Sequence, residues 1–359
     1  MRLRRVPALL PLLVLSLSGC APPSPARRPQ AFAPIGAVHR FATPLPRDVR
    51  LASDADSWQA LHLDVVQLAL GGRFGSLDSL LDSLERRRPE LRDGTLAEEH
   101  VYDWLAGAGL EPGAGQRARF VGAMRRWHEA EPGSEAAAAA YAGALTGLAW
   151  ESLAASPAAG PAFDRRLDEA WSVLAPWQDA PGGGVGWTLA AFRIALGEGW
   201  PRGRVDQLRN HALDQRPDFE RADALEAACL LPRFGGAPGE WQAFATAVAE
   251  DGPDGARRYA RVAGELDELV DGLFADGRVS WALVDRGFQA LEREHPDSVT
   301  LPSRHARLAF EAGERGALRA LFARLGGRCD PGVWRSLQEY EAARRFAAGG
   351  PAQNGDAPA

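Results

Sequence analysis

The residues able to do covalent chemistry are few and oddly chosen. Across 359 residues the chain has three cysteines, seven histidines and no lysine, so apart from histidine every side-chain cation is arginine. Lysine Schiff bases, Ser-Lys dyads and the lysine of a phosphate-binding loop are thereby excluded. The histidines (His39, His62, His100, His128, His211, His295 and His305) are widely scattered. His128-Glu129 begins a helical zinc motif, but Pro132 stands where the second histidine belongs. No metal and no cofactor is therefore expected. No G-x-S-x-G elbow accompanies the serines. The acidic groups Glu98-Glu99 and Asp267, Glu268 and Asp271 read, at helical spacing, as solvated faces. A glycosidase pair stays open, because two carboxylates can meet in space from any separation along the chain.

Cys20 is a different matter. It follows an Arg-rich start (Arg2, Arg4, Arg5) and the apolar run Val6–Leu17, "VPALLPLLVLSL". As a helix that run spans about 18 Å, short of the ~30 Å of a bilayer core, and Pro7 and Pro11 would break it. The boundary Leu17-Ser18-Gly19-Cys20 resembles the lipobox of bacterial lipoprotein signal peptides. That resemblance implies cleavage before Cys20, diacylglyceryl attachment to its thiol and acylation of the new N-terminus. Several acyl chains would hold the protein firmly, where one would not. Ala21 rather than Asp follows the cysteine, which by analogy with Gram-negative sorting implies an outer-membrane lipoprotein facing the periplasm. Residues 1–19 are then signal peptide, and 20–48, rich in proline, are a lipidated, semi-rigid tether. Residues 347–359 read as a disordered tail.

The elements that must position everything else lie between, in residues 49–346. Trp58, Leu61, Val65 and Leu68 share one helical face, as do Leu77, Leu80, Leu81 and Leu84. Similar stretches run through "FVGAMRRWHEA", "EAAAAAYAGALTGLAWESLA" and "RVDQLRNHALDQR", broken by "EPGS", "SPAAGP", "APGGGVG" and "RPDF". No alternating run is long enough for a sheet, so the class is all-α. The formal charge of −6 becomes −9 without Arg2, Arg4 and Arg5, and basic tracts are confined to short clusters, which disfavours nucleic acid.

Three places repeat a pattern of charged helix end, Pro with a small or acidic residue, and Ala-rich helix, around Pro132, Pro217 and Pro296. The last, with "AGERGALRALFARLG", resembles a tetratricopeptide unit. The implied architecture is an irregular α-solenoid of tetratricopeptide-like helix pairs. The ordered segments "FGSLDSLLDSLERRR", "DGTLAEEHVYDWLAGAG" and "LLPRFGGAPGEWQAFA" resemble an uncharacterised bacterial family of such helical proteins, marked by a Pro-Arg-aromatic-Gly-Gly segment. The family implies the fold and no activity.

Two features suggest a binding surface, and each has a plainer reading. In "LLPRFGGAPGEW", Arg233 and Phe234 would meet a ligand beside Trp241; the plainer reading is an inter-helix turn plugged by the aromatics. Trp177, Trp187 and Trp200, with Trp171, would line a groove for a partner helix, or would simply fill core between helices. "PGGGVGW" lacks the strand and lysine of a phosphate loop and reads as a helix connection. Cys229 and Cys329 would be able to pair in an oxidising compartment. The expected function is a scaffold that docks a protein partner at the membrane; the alternatives are a glycan-directed envelope hydrolase and a structural subunit of an envelope complex.

Overall fold

The computed structural model describes residue 46 and residues 48–108, 114–178 and 184–350. The signal segment, Cys20, nearly all of the Pro-rich stretch, the first three residues of "PGGGVGW" and residues 351–359 lie outside the described residues.

The chain is all-α. Its helices are α1 (Gln59–Leu70), α2 (Phe74–Arg87), α3 (Ala97–Leu105), α4 (Ala114–Ala130), α5 (Glu135–Ala155), α6 (Gly160–Leu174), α7 (Val185–Glu198) and α8 (Arg202–Gln215). There follow α9 (Arg221–Cys229), α10 (Glu240–Glu250), α11 (Gly255–Leu266), α12 (Trp281–Glu294), α13 (Thr300–Glu311), α14 (Arg315–Leu325) and α15 (Leu337–Ala347). Among the described residues no helix is long and apolar enough to cross a membrane.

Helix ends follow from local chemistry. Pro132, Pro217 and Pro296 fall between α4 and α5, α8 and α9, and α12 and α13, where proline's missing N–H ends one helix. Ser134 accepts a bond from Ala137 N at 3.1 Å and caps α5; Ser280 and Ser336 cap α12 and α15 in the same way.

The odd-numbered helices contact one another in chain order, from α1 and α3 through to α13 and α15, while the even-numbered ones pack chiefly on their chain neighbours. Small residues allow this closeness. A Cβ added at Gly147 of α5 would come within 2.2 Å of Ala106 O, and one at Gly186 of α7 within 2.2 Å of the Tyr102 ring. The buried apolar residues form three successive clusters, centred on Trp127 and Phe192, on Tyr259 and Phe288, and on Trp334 and Tyr340.

The two ends of the helical region are joined. The two-residue strand β1 (Arg50–Leu51) pairs in parallel with β2 (Arg328–Cys329). Just after β1, buried Asp54 accepts bonds from Ser298 Oγ (2.5 Å), Val299 N (2.9 Å) and Thr300 N (3.3 Å). This carboxylate caps α13 from more than 240 residues away. The N-terminal segment therefore docks on the last helices as well as the first.

Candidate functional site

The odd-numbered helices carry a cavity of about 440 Å³. Its wall is built by the α2–α3 loop, α3, the start of α9, one face of α11, the end of α12 and α13. That volume is ordinary for a ligand site, though this wall is richer in charge than most.

The charged lining arises from helical spacing. In α11, "GARRYARVAGEL", Arg257, Arg261 and Glu265 recur every four residues and face the cavity, while Tyr259, Val262, Ala263 and Leu266 on the opposite side are buried. Arg261 Nε donates to Glu220 Oε2 at 2.9 Å, and its Nη2 reaches Gly94 O at 3.2 Å, pinning the α2–α3 loop across the site. Gly94 is required there: its φ is +74°, and a Cβ would meet His295 Nε2 at 2.2 Å. In that loop Thr95 donates to Asp93 Oδ1 at 2.6 Å, and its hydroxyl lies 2.8 Å from His100 Nε2.

On α3, Glu99 and Asp103 stand one turn apart and point toward α9. Arg221 donates to Asp103 at 2.7 Å, with Arg193 on the other carboxylate oxygen, and lies 3.9 Å from Glu99. Burial pushes Asp103 up, but the two arginines outweigh it and hold its carboxyl below the usual range. Glu99 behaves in the opposite way. It is only 4% exposed, its carboxyl makes no hydrogen bond among the described residues, and desolvation pushes it up to about 8 against the pull of Arg221 and Arg261. At neutral pH it is mostly a neutral acid set in a wall of charges.

Several expectations need correction. Glu98, Glu99 and Asp267 do not form solvated faces: all three are buried, Glu98 on Arg216 (3.2 Å) and Asp267 on Arg307 (2.7 Å). Arginines distant in sequence supply the charge that lets them leave water. Glu268 and Asp271 are exposed as expected.

The six residues marked as a binding surface are not brought together as one. Phe234, Trp241 and Trp187 are buried in the core, and Trp187 Nε1 donates to Leu174 O at 3.1 Å. Pro232–Phe234 is a single 3₁₀ turn between α9 and α10 closed by Gly235 at φ +106°, which matches the inter-helix turn reading; Arg233 is half-buried at its edge. Trp177 and Trp200 are half-buried, and Trp200 packs edge-on against Trp171 with ring centroids 4.9 Å apart. Arg204 stacks over Trp200, 3.2 Å from its centroid.

The disulfide between Cys229 and Cys329 is not made. Both thiols are free, because Cys229 packs between the first two clusters and Cys329 lies in the third. Burial pushes the Cys329 thiol up to about 12 and raises that of Cys229 as well, so both behave as inert core residues. Among the described residues no group of three or more His, Cys, Asp or Glu side chains is placed to hold a metal ion.

The cavity residues themselves (Glu99, Glu220, Arg221, Arg257, Arg261, Glu265 and Arg304) were not singled out as a site from the sequence. The four-residue stripe of α11, charged on one side and apolar on the other, is a local pattern in the sequence from which part of this wall can be read. In comparisons with known proteins, no family model, no curated protein and no solved structure matches this chain.

Proposed function

We propose that the chain is a binding module of the bacterial envelope, tethered to the membrane through Cys20, which receives a segment of a partner protein in the cavity of its inner helices. The cavity carries this reading: five helices and a pinned loop converge on it, and its charged wall is larger than a structural ion pair requires. The consecutive contacts of the odd-numbered helices support an irregular α-solenoid of tetratricopeptide-like pairs, an architecture that offers such concave surfaces to proteins. The lipobox-like Leu17-Ser18-Gly19-Cys20 supports an outer-membrane lipoprotein facing the periplasm.

A photo-crosslinking residue placed in cells at Glu90 or Glu294, both exposed at the cavity, tests the binding role. Both positions should yield the same protein adduct, while Arg165 on the outer helix α6 should yield none. Failure of both cavity positions to crosslink overturns the binding role. Labelling with a fatty-acid probe tests the anchor separately, and an unlabelled mature protein overturns it.

One observation favours a second reading, a glycan-directed envelope hydrolase. Glu99, whose proton burial holds, stands one turn from Asp103, whose carboxyl two arginines keep below its usual range, and glycosidases use such a contrast between two carboxyls. Release of sugars from cell-wall glycan by the full chain, lost in Glu99→Gln, would establish that activity; no release by the parent protein removes it.

A further inference from the structure

The charges of the cavity are not evenly matched. Each of its four guanidiniums has a carboxylate partner within 4 Å: Arg221 with Asp103, Arg257 and Arg261 with Glu220, and Arg304 with Glu265. A phosphate or carboxylate ligand would have to displace those partners. By that measure one carboxyl of the wall, Glu90, is left over, and Glu99, with Arg221 at 3.9 Å, is the most weakly paired of the rest. Among the described residues, exposed Glu90 makes no ion pair, and buried Glu99 makes no hydrogen bond and has no guanidinium nearer than 3.9 Å. The remaining wall includes an apolar group, Ala224, Phe288, Leu291 and Leu301.

A ligand complementary to this wall brings hydrogen-bond donors and positive charge on an apolar stem. We infer that the cavity binds an alkyl-ammonium group, its methylenes on Phe288, Leu291 and Leu301 and its nitrogen on Glu99. This rests on the proposal that a partner's segment enters the cavity; the group is then a lysine side chain of that partner, and a free diamine carries the same chemistry. The protein has no lysine of its own to occupy the site. Arrival of the ammonium favours the carboxylate form of Glu99, so its proton leaves to solvent as the ion pair forms. Binding therefore releases up to one proton near pH 7, where the empty site holds the carboxyl mostly neutral.

Titration calorimetry of the full chain tests this with three probes: Nα-acetyl-lysine methylamide, its norleucine counterpart and cadaverine. The lysine compound should bind at least about tenfold more tightly than the norleucine compound, as expected for one charge-assisted contact. Its heat should vary with the ionisation enthalpy of the buffer, reporting the released proton. Glu99→Gln should abolish both the preference and the proton release, and Glu90→Gln, which keeps the backbone bridge to Leu96 and changes only an exposed side chain, should weaken binding with the fold intact. Equal binding of the two amides, unchanged binding by Glu99→Gln, or no saturable heat from any amine overturns the inference. Cadaverine binding alone retains the ammonium site and overturns the lysine assignment. Cavity crosslinks to a partner without amine binding overturn this inference and leave the binding module standing; amine binding without crosslinks does the reverse.

Discussion

Replacing Glu99 with glutamine should remove a specific sensitivity of the fold to rising pH. In the unfolded chain the Glu99 carboxyl ionises near 4.5, whereas in the folded protein burial holds its proton until about 8. Between those values the folded state keeps a proton that the unfolded state has lost. The stabilising contribution is thus complete below pH 4.5 and is lost as pH rises toward 8. Each pH unit in that window is worth about 1.4 kcal/mol, so roughly 3 kcal/mol should go between pH 4.5 and 7, levelling off above 8. Glutamine has the same shape and no proton to lose. The difference in unfolding free energy, Glu99→Gln minus parent, should therefore grow by about that amount over the same range. Urea unfolding followed by tryptophan fluorescence at several pH values measures it, with equal m-values as the check that only the folded state changed. A difference that stays flat with pH would refute the buried, neutral Glu99 and with it the proton release on ammonium binding.

Two further outcomes follow from contacts far from the cavity. Asp54→Ala removes three bonds, two of them buried, and the cap of α13, and should cost about 3 kcal/mol in urea unfolding while exposing the Val299 and Thr300 amides to hydrogen exchange; a loss near zero would show that the join between the chain ends carries no stability. Cys229 and Cys329 should resist alkylation at pH 8 in the native protein and react once it is unfolded in urea; a mass two hydrogens lower under non-reducing conditions would reveal the bridge that their separate clusters argue against.

The helices were legible because their causes are local. Leu77, Leu81 and Leu84 lie on one face by spacing alone, and they are buried together in α2. Pro132, Pro217 and Pro296 interrupt helices through their own missing N–H, and Ser134 caps α5 with a side chain three residues from the amide it meets. The Pro-Arg-Phe-Gly-Gly stretch was likewise readable as a turn, since Gly235 takes a positive φ that only its own type adopts freely.

The candidate site was not legible, and the reason is distance along the chain. Glu98 and Asp103 resemble any charged residues on a solvated helix until Arg216 and Arg221, each 118 residues away, are packed against them. Whether a carboxylate is exposed, paired or left as a neutral acid is decided by desolvation and by neighbours that only the fold assembles. Glu99 and Glu98 are adjacent in sequence, yet one holds an arginine at 3.2 Å and the other has none closer than 3.9 Å. Asp54 and the two thiols make the same point, since burial and partners set their roles. The sequence by itself determined where most helices start and stop, because those choices depend on residues within a turn or two; α13, capped by distant Asp54, is an exception. Tertiary structure alone decided which charges meet, because an ion pair depends on ångström-scale separation in space and is blind to separation along the chain.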